Sequence, residues 1–192
     1  MPAMTANPTL ADRLWPAAGN RVLRSVLLAL AGSLLLWASA KVQVPFYPVP
    51  MTLQTAVVLL IGVAYGGRLG AVTVLLYLAE GAVGLPVFAG TPERGIGLAY
   101  MVGPTGGYLV GFVVAAAIAG WVAERSRHWL TTTLGLLAAL AVIHFLGASW
   151  LATLIGPAKA VSLGVLPFLL GDLVKVALVA TAAEAGLARP RA

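Results

Sequence analysis

Long apolar stretches without an ionisable residue recur along this chain, and they constrain its fold more than any other feature. After Arg21 and Arg24, the run from Ser25 to Ala40 carries no charge, and the segment from Gly95 to Ala123 carries none either. Only 9% of the 192 residues are charged and 60% are hydrophobic, with a mean hydropathy of +0.97. Ordinary globular chains carry about a quarter charged residues, so a water-soluble domain could not hide this much apolar surface. The runs are continuously apolar and lack the alternation of outer-membrane strands, which predicts an all-α integral membrane protein.

A helix needs about 20 residues to cross the hydrocarbon core, and charge, Pro and Gly mark where such helices end. Breaks fall at 41–50, 66–70, 89–104, 124–129 and 156–160, which predicts six helices at 22–40, 52–65, 69–88, 105–123, 131–155 and 161–185. The second is short for a span. The first is expected to be retained rather than cleaved, because no Ala-x-Ala site precedes a soluble domain. The chain thus divides into an N-terminal segment, 1–21, one membrane domain, 22–186, with a capping loop at about 89–104, and a tail, 187–192.

Twelve basic against six acidic residues give a net charge of +6. The basic residues stand singly between apolar runs, with no stripe to follow a phosphate backbone, so nucleic acid is excluded as a partner. Sorted onto alternate sides of six helices, Arg13, Arg21, Arg24, Arg68, Arg125, Arg127, Arg189 and Arg191 fall on one side, and Lys41, Arg94 and Lys159 on the other. Short cytoplasmic loops collect Lys and Arg, so both termini are expected in the cytoplasm.

Ionisable groups inside spans are costly and point to function. Asp172 and Lys175, three residues apart, share a helix face; they either line a polar cavity or form an ion pair that fixes packing. Glu80 either contributes to a site or snorkels toward the surface. Arg94, in the glycine- and proline-rich third loop, is suited to gripping a carboxylate, or is a solvated loop charge. Gly103-Pro-Thr-Gly-Gly-Tyr108 opens the fourth helix, where free N–H groups favour acceptors. Small residues at fourfold spacing, Ser25, Ala29 and Ser33, and Gly107, Gly111, Ala115 and Ala119, suit close helix packing, whereas Gly62, Gly66 and Gly70 read mainly as a turn. His144 lies mid-span with no acidic or histidine partner nearby in the sequence, and no metal site is expected. The absence of cysteine, of a Gly-Lys phosphate loop and of a credible catalytic constellation argues against an enzyme and implies no cofactor.

Val49-Pro-Met-Thr-Leu-Gln54, Gly84-Leu-Pro-Val-Phe-Ala89, Gly103-Pro-Thr-Gly-Gly-Tyr-Leu109 with Gly111-Phe112, and Gly171-Asp172 followed by Lys175 resemble the BioY family. These are biotin-specific S components of energy-coupling factor transporters. The resemblance implies a six-helix S-component fold in the bacterial inner membrane, biotin as ligand, and as partners a transmembrane coupling subunit and two cytoplasmic ATPases. It places Asp172 and Lys175 in the substrate site, with Arg94 and the segment Thr105, Gly106, Gly107 and Tyr108 closing over the ligand. Asp172 would accept a ureido N–H, Lys175 would donate to the ureido carbonyl or the acidic tail, and Arg94 is the candidate for the carboxylate. Gln54 would add a contact, Tyr100 and Phe88 would pack on the ring system, and Glu80 would join only on the ground of its intramembrane cost. The family's docking stripe maps to Ser25, Ala29 and Ser33, where serines replace the usual alanines. Membrane lipid would surround the domain, and a homo-oligomer stays open. An autonomous proton- or sodium-coupled transporter is the alternative reading.

Overall fold

The computed structural model describes residues 8–16, 20–126 and 128–187 and is almost wholly helical. Arg127, Arg189 and Arg191 of the charge pattern lie outside the described residues. A short helix, α1 (Leu10–Leu14), opens with a reciprocal capping box between Thr9 and Asp12. It is followed by α2 (Arg21–Lys41), whose first free N–H groups, on Val22 and Leu23, are taken by the Asn20 side chain. At 1.5 Å per residue α2 is about 31 Å long, the thickness of a hydrocarbon core. A two-residue ribbon, β1 (Gln43–Val44) with β2 (Met51–Thr52), turns the chain into α3 (Gln54–Tyr65) and α4 (Gly67–Ala82). The third loop holds one helical turn, α5 (Gly97–Met101). Then come α6 (Gly106–Arg125), α7 (Trp129–Ile155), α8 (Pro157–Gly164), a 3-10 turn over Leu166–Phe168, and α9 (Leu169–Leu187).

By length and apolarity, α2, α6, α7 and the α8–α9 segment are long enough to cross a membrane, while α3 is a shorter apolar helix. Two expected boundaries are corrected. The helix expected over 69–88 ends at Ala82, because Gly84 turns the chain with φ +98° and Pro86 follows. The helix expected over 161–185 starts four residues earlier, at Pro157, and is interrupted after Gly164. Pro167 cannot donate to the carbonyl four residues back and its ring crowds it, so the chain passes through the 3-10 turn and starts again as α9. That restart sets Asp172 in the first turn of α9.

Helix α6 sits at the centre, packed on α3, α4 and α7. A Cβ on Gly107 would strike the Leu146 carbonyl and Trp150 of α7, and one on Gly111 would lie 2.9 Å from the Ile143 Cα. Further along α6, Gly62 of α3 faces Ala119, and a Cβ on Gly62 would lie 2.9 Å from the Ala119 Cβ. The small-residue stripe on α6 is therefore an internal seam. Gly62 and Gly70 lie inside helices and pack there, so of the three glycines read as a turn only Gly66 is one, at φ +84°.

The outer faces are apolar, with Phe145, Leu170 and Leu178 among the exposed residues. The charges sort to two ends. Lys41 and Arg94 meet carbonyls of the loops at one end, Pro86, Phe88 and Thr91 for Lys41 and Pro48 for Arg94. At the opposite end, Glu124 of α6 accepts the Gly67 N–H that opens α4, Arg24 pairs with Asp12, and α1 lies beside Gly186. Arg125 there stacks over Trp121, 4.1 Å from the ring centroid.

Candidate functional site

At the loop-covered end a cavity opens between α3, α6, α7 and α9. Its apolar wall comes from Val49, Leu109, Phe112, Ile143 and Phe168. Its polar end is built by α9, where Lys175 Nζ donates to Asp172 Oδ1 at 2.8 Å and both side chains are buried. Asp172 Oδ2 lies 2.9 Å from Nε2 of His144 on α7. The expectation that His144 lacks an acidic partner is thereby corrected: a helix crossing joins residues 28 positions apart. The carboxylate is held once on each oxygen, which leaves a lone pair on each, and two of the three Lys175 N–H groups remain for other acceptors. An isolated charge here would be untenable, and a paired one with unused hydrogen-bonding capacity is poised for a polar ligand.

Gln54, at the start of α3, lines the cavity and donates through Nε2 to the Tyr77 hydroxyl at 2.8 Å, which in turn donates to the Val87 carbonyl at 2.9 Å. Thr52 Oγ1 donates to Gln54 Oε1 at 3.3 Å. These bonds tie β2, α3, α4 and the third loop into one polar wall. Thr105 and Tyr108 also line the cavity, and the Tyr108 hydroxyl donates to the Gly164 carbonyl at 2.6 Å, at the break before α9. Tyr100 lines it too, its hydroxyl given to the Ala89 carbonyl at 2.9 Å. Burial pushes its phenol above the ordinary range against the opposing Thr105 contact and the Arg94 charge, so the group stays a neutral donor.

The remaining expected residues stand further out. Phe88 stacks behind Tyr100 with ring centroids 4.8 Å apart, bracing that ring from outside the cavity lining. Gly106 and Gly107 lie against Met101 and α7, and allow α6 to start close beneath the cavity. Arg94 lines a second pocket with Tyr47, Pro48, Gly103 and Pro104, and this pocket shares Tyr100 and Thr105 with the cavity. Arg94 spends one N–H on the Pro48 carbonyl at 3.2 Å. Glu80 is not among the cavity residues; it accepts the Ser33 hydroxyl at 2.9 Å and clasps α4 to α2. The same contact buries Ser33, and Ala29 is buried with it, so within this chain the α2 stripe faces α4. Ser25 and Ala29 border an apolar groove with Arg21, Val22, Val26, Leu69 and Val72.

His144, Tyr77, Thr52 and Phe168 were the residues missed in the sequence. For His144 the signal was present: a solitary imidazole in a 27-residue apolar helix needs a partner. Nothing in the spacing named Asp172 as that partner.

An apolar helical bundle with a buried ion-paired pocket beneath a loop cover defines a membrane protein that binds a small polar ligand. A model of the BioY family matches residues 7–191, and the chain belongs to that family. It is 44% identical over 145 residues to a probable biotin transporter BioY of Pyrococcus horikoshii, covering 76% of this chain and 85% of that protein. It is 36% identical over 159 residues to a biotin transporter BioY of Thermotoga maritima, covering 82% and 92%. Among solved structures it resembles the S component for biotin from an ECF-type ABC transporter, with a TM-score of 0.78 at 22% identity over 90% of this chain and 95% of the other. The relatives are named as transporters, not enzymes.

Proposed function

We propose that the chain is the biotin-binding S component of an energy-coupling factor importer, seated in the bacterial inner membrane with six spans and both termini in the cytoplasm. The observation that carries this reading is the Asp172–Lys175 pair at the closed end of an apolar cavity. A cyclic urea offers N–H donors and a carbonyl acceptor on one rigid ring: Asp172 meets an N–H, the free N–H groups of Lys175 meet the carbonyl, and Phe112, Ile143 and Phe168 cover the apolar ring. Arg94, at the mouth between cavity and outer pocket, takes the carboxylate of the tail. Gln54, Thr105, Tyr108 and Tyr100 complete the wall, backed by Phe88, Gly106 and Gly107.

The charge distribution supports the orientation. Arg24, Arg68 and Arg125 lie toward the end opposite the cavity, which the positive-inside rule assigns to the cytoplasm, so the cavity faces outward. Glu80 is engaged with Ser33 outside the cavity lining, and Asp172 is already paired, so neither is a free carboxylate to carry a coupling ion. Energy then comes from a transmembrane coupling subunit and two cytoplasmic ATPases, the coupling subunit docking along the groove beside Ser25 and Ala29. Calorimetry on the purified, folded chain tests the reading: saturable biotin binding is expected, and its absence overturns it. Uptake by vesicles holding this chain alone, driven by a proton or sodium gradient, would replace the importer with a secondary transporter.

A further inference from the structure

His144 has a role that packing does not account for. Its ring lies edge-on to Tyr108 of α6 and tilted against Phe168, at centroid distances of 6.5 and 6.3 Å, and the charged groups facing it are Asp172 and Lys175 of α9. An imidazole at this depth is costly unless both nitrogens find partners. Nε2 has one, Asp172 Oδ2, whereas Nδ1 is buried with no hydrogen-bond partner among the described residues. Lys175 alone, on the same helix as Asp172, would leave the carboxylate free to rotate; a second bond from a different helix stops that rotation.

We propose that His144 is a ligand-positioning residue: its Nε2–H fixes the Asp172 carboxylate from α7. The inference rests on the biotin reading and deepens it. Held from two helices, Asp172 keeps a lone pair on each oxygen beside the Lys175 donor, the complement of a ring with N–H groups and a carbonyl.

The test is biotin affinity of the purified, folded full chain by calorimetry at neutral pH. His144→Gln keeps a neutral nitrogen donor at the Nε2 position and is expected to bind within about fivefold of wild type, whereas His144→Leu, which fills the space without a donor, is expected to bind at least about tenfold more weakly. His128→Asn, at the far end of α7, is expected to bind as wild type does. Wild-type affinity in His144→Leu, or a His144→Gln as weak as His144→Leu, overturns the inference while the biotin reading stands. A folded wild type that binds no biotin removes both.

Discussion

The two ends of the bundle solve opposite problems with the same helices. At the end opposite the cavity, Gly62, Gly66, Gly67 and Gly120 bring α3, α4 and α6 into backbone contact, and Glu124 closes the α4 N-terminus. At the cavity end the same α6 meets α7 through Gly107 and Gly111, but α9 is held off by Pro167 and the 3-10 turn, which leaves a space faced by Asp172, Lys175 and His144. The end opposite the cavity packs backbone on backbone. The cavity end keeps donors and acceptors in reserve. Stability and binding should therefore respond to substitutions at different ends.

The largest expected effect is at the cavity. Asp172→Asn keeps the volume but removes a charged acceptor and leaves Lys175 without its counter-ion. Biotin affinity by calorimetry is expected to fall about 10- to 100-fold, following the about 1.5–3 kcal/mol carried by hydrogen bonds to charged groups. Unchanged affinity would reduce the pair to a packing device and erase the contrast between the ends.

Gly120→Ala tests the end opposite the cavity. The added methyl would be driven into the backbone of Gly66 and Gly67 and would sit 2.6 Å from the Gly62 carbonyl oxygen, so α6 must shift. A loss of about 1–3 kcal/mol is expected, seen as a lowered Tm in detergent, with biotin affinity of the folded fraction unchanged. An equal loss of affinity would show that the two ends are mechanically coupled.

Arg94→Gln separates the cavity from its mouth. Biotin should bind about tenfold more weakly, about 1.4 kcal/mol, whereas the amide of biotin, which has no carboxylate, should bind wild type and variant alike. If both ligands weaken equally, Arg94 serves only to hold the loop through the Pro48 carbonyl.

Much of this architecture could be read from the chain because span length, apolarity and charge placement are one-dimensional quantities. Residues 22–40, 105–123 and 131–155 were placed within two residues of α2, α6 and α7 for that reason. Asp172 and Lys175 were legible because helical spacing alone pairs them. His144 was not, since its partner comes from a crossing of α7 and α9 that no local pattern encodes. Pro167 was visible as a letter, but seeing the break it makes meant weighing one missing N–H against a long apolar run. Glu80 shows the same limit: cost in the membrane marks a residue as engaged without saying whether its partner is a ligand or, as with Ser33, the next helix.

The smallest effect belongs to the end opposite the cavity and should leave the cavity untouched. Burial acts to raise the Asp12 pKa, but the Thr9 hydroxyl and backbone N–H and the Arg24 guanidinium together outweigh it, so the carboxyl is held below its usual value. A carboxyl whose pKa is lower in the folded state stabilises that state fully above its unfolded value, about 3.9, and progressively less as pH falls through the folded one. Acidification below about pH 4 should therefore loosen α1 from Arg24 and Gly186, read as faster hydrogen exchange over residues 10–14. Asp12→Asn should exchange at the faster rate already at neutral pH and lose that acid dependence, while its biotin affinity stays that of wild type. A drop in affinity instead would mean that α1, at the end opposite the cavity, bears on the cavity across the full height of the bundle.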